Sequence, residues 1–197
     1  MRRMVWVGVF AGGLGVAGCP ESEPEGPSIV LENFTSPAVL EPRETWKDKP
    51  SGLVFQTPGL GWVRLEGAEL GTLGGPDAKL GVREVGGGAR CMGWAVARAA
   101  AGDGAHAAAD KARAALTQAW GEVQVQVDED VKWDLWTARR YEVAGKVEGK
   151  THAERATWWI DSGMVYGVVA RSWERDYASR RRCLDRVTAG FSLGLRE

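Results

Sequence analysis

Four β-prone runs joined by very short turns constrain this chain more than any other feature. Val123, Val125 and Val127 alternate with polar residues up to Asp128, and Asp128-Glu129-Asp130 reads as a turn. Lys132 to Val147 forms a second run, and Glu148-Gly149-Lys150 turns the chain again. His152 to Ile160 leads into Asp161-Ser162-Gly163, and Met164 to Ser172 returns. Alternation at period two marks half-buried strands. Turns this short join only antiparallel neighbours, so the segment predicts an antiparallel meander and an α+β chain.

Two helices complete that pattern. Ala105 to Trp120 is Ala-rich with Lys and Arg interspersed; Asp103 or a neighbour can cap it, and Gly121 ends it. Ala108, Ala112, Leu116, Ala119 and Trp120 fall on one narrow stripe of mostly small side chains, which allows a close approach to a sheet. The second helix spans roughly Glu174 to Ala189, with Tyr177, Leu184, Val187 and Phe191 at helical intervals. Upstream, Leu53-Val54-Phe55 and Trp62 to Leu65 flank a turn at Thr57 to Gly61. Lys79 to Val85 and Ala89 to Arg98 flank Gly86-Gly87-Gly88 as a hairpin, which puts Cys91 on a face with only small neighbours.

The N-terminus carries an address. Arg2 and Arg3 precede Val5 to Gly18, fourteen residues without charge, fewer than the ~20 that a membrane-spanning helix needs. Residues 1–18 therefore read as a signal peptide. Val16-Ala17-Gly18-Cys19 resembles the lipobox of bacterial lipoproteins, with Val16 where the family usually has Leu. The resemblance implies cleavage before Cys19 and acylation (palmitate) of that cysteine, a durable membrane anchor at ~0.8 kcal/mol per buried CH₂. Residues 19–50 follow as a lipidated, acidic, Pro-rich tether, extended from Ile29 onward, and residues 51–197 as a single domain. Pro20 is not the Asp associated with inner-membrane retention in some bacteria, which leans toward the outer membrane of the cell envelope.

Charge and cysteines narrow the partners. The whole chain has a net charge of −1, and a nearly neutral domain lacks the basic footprint of a nucleic-acid binder. Beyond Cys19 only Cys91 and Cys183 remain. In an oxidising compartment such a pair is expected to form a disulfide, which would close a loop of about ninety residues at ~4 to 5 kcal/mol in the chain-entropy picture. The alternative is two buried free thiols. His106 and His152 are the only histidines and neither sits at ligand spacing, so no metal and no cofactor is expected.

Catalytic patterns are missing as well. No serine lies in G-x-S-x-G and there is no H-E-x-x-H. Gly86-Gly87-Gly88 leads into a strand rather than the helix that a phosphate cradle needs. Asp128, Glu129 and Asp130 are adjacent in a turn, fit for solvation or weak Ca²⁺ contact rather than paired-carboxylate chemistry. Arg180-Arg181-Arg182 spread over about 200° of a helix and form no single patch. Ten tryptophans are the unusual feature. Trp158 and Trp159 must point to opposite faces of a strand, and Trp133 and Trp136 differ in parity; either both faces are covered, or these four form an exposed binding surface.

The order of elements resembles the PsbP/Mog1-like fold, an antiparallel sheet between helices. Gly52 to Trp62 is similar to that family's F-x-x-P-x-G-W entry, and Cys183 to Leu193 to its closing helix and strand, with Gly190-Phe191 in place of Ser-Phe. The resemblance implies an αβα sandwich and an accessory or binding role. The expectation is a non-enzymatic, membrane-anchored envelope module that binds a protein partner or assists assembly. A ligand carrier or enzyme with a pocket between sheet and helix, and a glycan-binding lipoprotein, are the alternatives.

Overall fold

The computed structural model describes residues 43–85, 90–100, 102 and 104–194, all within the compact unit Leu40–Glu197. Residues 1–42, which hold the expected signal peptide, Cys19 and most of the expected tether, and Gly86-Gly87-Gly88 lie outside the described residues. Strand β1 (Thr45–Asp48) precedes Ser51, so the folded part begins earlier than the sequence indicated. It is followed by β2 (Leu53–Gln56), β3 (Trp62–Leu65), helix α1 (Gly67–Gly74), β4 (Ala78–Glu84), β5 (Cys91–Ala99) and helix α2 (Ala105–Trp120). Then come β6 (Val123–Trp133), β7 (Trp136–Val147), β8 (Lys150–Asp161), β9 (Met164–Ser172), helix α3 (Tyr177–Gly190) and β10 (Phe191–Leu193).

The meander β6 to β9 forms one side of a seven-stranded antiparallel sheet of order β3-β4-β5-β9-β8-β7-β6. A small second sheet has the order β1-β2-β10. Two expectations need correction. Strands β2 and β3 do not pair across Thr57 to Gly61 but belong to different sheets. Nor does the chain turn at Asp128-Glu129-Asp130: β6 continues to Trp133, and the reversal falls at Asp134, whose φ is 53°. The acids stay in the strand because β7 supplies counterions, with Glu129 opposite Arg140 and Asp130 opposite Arg139. Opposite charges across a ladder stabilise the pairing.

Helix α1 was not legible, since its eight residues include Gly67, Gly71 and Gly74, and glycine is a poor helix former. It forms because Leu70 and Leu73 pack against the sheet. Helix α3 starts three residues later than the sequence indicated, where the Asp176 carboxylate accepts a hydrogen bond from the Ser179 N–H at 2.8 Å.

Each face of the large sheet has its own core. On one face, α3 and the small sheet cover Leu80, Val82, Ala95, Tyr166 and Val168. Cys91 of β5 and Cys183 of α3 form a disulfide there, with Cα atoms 5.6 Å apart. Two residues along, Gly93 lets the helix settle: a Cβ would collide with Val187 of α3 and lie 2.8 Å from the Val169 carbonyl oxygen. On the opposite face α1 and α2 cover Val96, Tyr141, Val143, Trp158 and Val169. The result is helices on both sides of a sheet, as expected, with three helices instead of two.

Candidate functional site

Helix α2 stands over β7, β8 and β9, while α1 stands over β4 and β5. A cleft of about 310 Å³ opens between the two helices. Leu73 and Gly74 form the α1 wall; Ala112, Ala115 and Leu116 form the α2 wall. The floor consists of sheet side chains pointing to this face: Trp94 and Val96 of β5, Tyr141 of β7, Glu154 and Trp158 of β8, and Val169 and Arg171 of β9.

Polar groups converge on that floor. The Tyr141 hydroxyl donates to Glu154 Oε1 at 3.1 Å. Arg171 donates to Glu154 Oε2 through Nε at 2.9 Å and Nη2 at 2.6 Å. The Glu154 side chain is 4% exposed, and a buried carboxylate requires such a set of donors. Burial and the adjacent Glu154 push the Tyr141 hydroxyl far up, so it remains a donor. Arg171 lies between two indoles, 4.9 Å from the Trp94 ring and 5.2 Å from Trp120.

The stack continues away from the cleft. Trp120 meets the His152 ring edge-on at 5.5 Å, and His152 stacks on Trp173 at 5.9 Å. Burial first, then Arg171 and Lys150, lower the His152 pKa and favour a neutral ring. The ring is half-buried between two indoles. His106 is exposed and pairs with Asp130 at 3.1 Å.

Trp158 also lines the cleft. Trp158 is 7% exposed and its indole nitrogen has no hydrogen bond. Its six-membered ring occupies the space above Gly167, where a Cβ would lie 2.6 Å from Cε3. A buried donor left unpaired is costly and uncommon.

The four tryptophans selected from the sequence separate between the faces. Trp158 lines the cleft, whereas Trp159 is fully buried on the other face. Trp133 and Trp136 are directly opposite across the hairpin, so they share a face despite their spacing. Both are half-buried and lie against Trp159, at 5.8 and 6.1 Å, and Trp136 donates to Asp161 Oδ1 at 3.2 Å. These aromatics are therefore not assembled into one surface.

A second polar cluster ties α3 to the sheet. Arg155 donates to Glu142 Oε2 at 3.0 and 2.9 Å and reaches Asp185 of α3 at 2.6 Å. Arg181 of α3 approaches the same Glu142 at 3.4 Å, and that carboxylate raises its pKa. Burial and Arg155 lower the pKa of nearby Arg140. Tyr141, Glu154, Arg171 and Trp94, which carry the cleft, form no motif in sequence. Their only sign is parity: each sits at an alternate position of its strand.

No family model and no curated protein matches the sequence. Solved structures do. The chain is similar to cyanobacterial PsbP (CyanoP) from Synechocystis sp. PCC 6803, with a TM-score of 0.59 and 12% identity over 80% of this chain and 95% of that one. It is also similar to LpqN, involved in cell envelope biogenesis of Mycobacterium tuberculosis, with a TM-score of 0.54 and 11% identity over 78% of this chain and 91% of that one. At these identities the likeness concerns the fold, which is a PsbP-like α+β arrangement of antiparallel sheets with three helices.

Proposed function

We propose that this chain is an envelope lipoprotein, held at a membrane by acylated Cys19, whose domain binds rather than reacts, and that the cleft between α1 and α2 is its recognition site. The observation that carries this reading is the state of the cleft's polar groups. Both oxygens of Glu154 are engaged, by Tyr141 and Arg171, and Tyr141 is held as a protonated donor. A general base or nucleophile must be available to accept a proton or attack, and these groups instead satisfy one another. A concave, mostly apolar site with a few placed polar groups is the form of a small-ligand site, so the cleft favours carriage of a ligand over a flat protein interface. The lipobox at Cys19 and the fold likeness to an envelope-biogenesis protein support the location.

Two measurements test it. Mass spectrometry of the N-terminal peptide should find Cys19 acylated; an intact Met1 terminus contradicts the anchor. The full chain purified from its own membrane and extracted with solvent should release a small molecule that is missing from an Ala112→Phe variant of equal thermal stability. Identical extracts from the two proteins contradict the cleft as the site.

A further inference from the structure

We infer that a second concave site, at the end of the large sheet where β7 turns into β8, binds a phosphate monoester. It lies apart from the cleft and does not depend on the reading of that cleft as a recognition site.

Three segments build it. Gly149, Lys150 and Thr151 belong to the β7–β8 turn; Trp173, Glu174 and Arg175 link β9 to α3; and Arg90 directly precedes β5. They enclose about 530 Å³, more than the cleft and within the range of small-molecule sites. The walls are held in place. The Trp173 N–H donates to the Arg90 carbonyl at 3.1 Å, and the Glu174 N–H donates to the Ser172 hydroxyl at 3.3 Å. Arg180 of α3 donates to the carbonyls of Glu174 and Arg175 at 2.8 and 2.9 Å. Cys91, next to Arg90 in the chain, is bridged to Cys183, and the Trp173 ring is seated against His152.

Charge selects the ligand. The lining sets three cations, Arg90, Lys150 and Arg175, against one carboxylate, Glu174, an excess of two positive charges. Elsewhere in this fold arginines meet their carboxylates closely, as Arg155 does Glu142 at 2.9 Å and Arg171 does Glu154 at 2.6 Å. Here the pair Arg90–Glu174 is 3.9 Å long, too long for a hydrogen bond. Among the described residues the side chains of Lys150, Thr151 and Arg175 have no hydrogen-bond or ion-pair partner. The positive field extends to the ring beside Trp173. After burial, Arg171 and Lys150 lower the His152 pKa, with Glu148 opposing them. A phosphate monoester fits this set, because it carries nearly two negative charges at neutral pH and three acceptor oxygens. Two guanidinium forks and an ammonium supply the donors. A carboxylate brings one charge and two oxygens, and a cation adds to the excess.

The test uses the full chain, ¹⁵N-labelled at tryptophan, in phosphatidylcholine nanodiscs at low ionic strength, titrated with glycerol 3-phosphate and with glycerol. A second arm replaces part of the lipid by phosphatidic acid, which presents the same phosphate monoester as a headgroup. The expected result is that phosphate in at least one arm shifts the Trp173 indole N–H resonance and that glycerol does not. Lys150→Ala with Arg175→Ala should weaken binding roughly tenfold, the range for two partly exposed charged contacts. Both residues are exposed, so this variant should unfold at the wild-type temperature. Glu174→Gln, which removes the opposing carboxylate, should tighten binding about threefold. A shift with the soluble ligand alone assigns a free phosphorylated molecule, and a shift with phosphatidic acid alone assigns a lipid headgroup; either upholds the site. An unmoved Trp173 resonance in both arms, an equal response to glycerol, or an affinity unchanged by the double substitution overturns it.

Discussion

Glu154 is the residue on which the second face depends, because two donors from neighbouring strands, Tyr141 and Arg171, end on its carboxylate. Glu154→Ala removes the acceptor and leaves the Arg171 guanidinium without its partner. Breaking a buried pair costs about 3 to 5 kcal/mol. The Arg171 side chain is 22% exposed and water recovers part of that, so the expected loss is about 2 to 3 kcal/mol in denaturant unfolding. His152 gives a pH signature. Its folded pKa lies below the ordinary 6.5, so the unfolded chain binds the proton more readily, and folding stability falls as pH drops below about 6.5. Thermal unfolding from pH 7.5 to 5.5 should show this decline in the wild type and a smaller one in His152→Gln. Equal slopes would contradict the burial of His152 between Trp120 and Trp173.

At the scale of elements, α3 is held by three devices: the Cys91–Cys183 bridge, the close approach at Gly93, and the Arg155–Glu142–Arg181 cluster. The bridge closes a long loop, with the two cysteines 92 residues apart, and should contribute about 4 kcal/mol through the unfolded chain. Cys91→Ser with Cys183→Ser should lower the denaturant midpoint by a corresponding amount, and a reducing agent should do the same to the wild type. Elements with a clean period were readable in sequence: β7 to β9, α2 and α3 all lie close to where alternation or helical spacing put them. Elements decided by partners were not. Helix α1 exists because the sheet receives Leu70 and Leu73, and β6 runs through three acids because Arg113, Arg139 and Arg140 meet them. The cleft was the least legible part, since Tyr141, Glu154 and Arg171 come from three strands and meet only once β7, β8 and β9 are in register.

For the whole molecule, the two faces of the sheet have different work. The α3 face is closed by a disulfide, a small sheet and a tightly paired polar cluster, which suits a rigid support. The α1/α2 face keeps a gap above a floor of apolar side chains and the Tyr141–Glu154–Arg171 cluster. A ligand that binds only the folded form stabilises it, and the stabilisation should be local to the elements it touches. Hydrogen exchange on the full chain, compared with its native co-purified molecule present and after removal, tests this most directly. The account predicts slower exchange in peptides covering α1 (Gly67–Gly74) and the Ala108–Leu116 part of α2, with α3 (Tyr177–Gly190) unchanged. Protection confined to α3, or no difference anywhere, would contradict it.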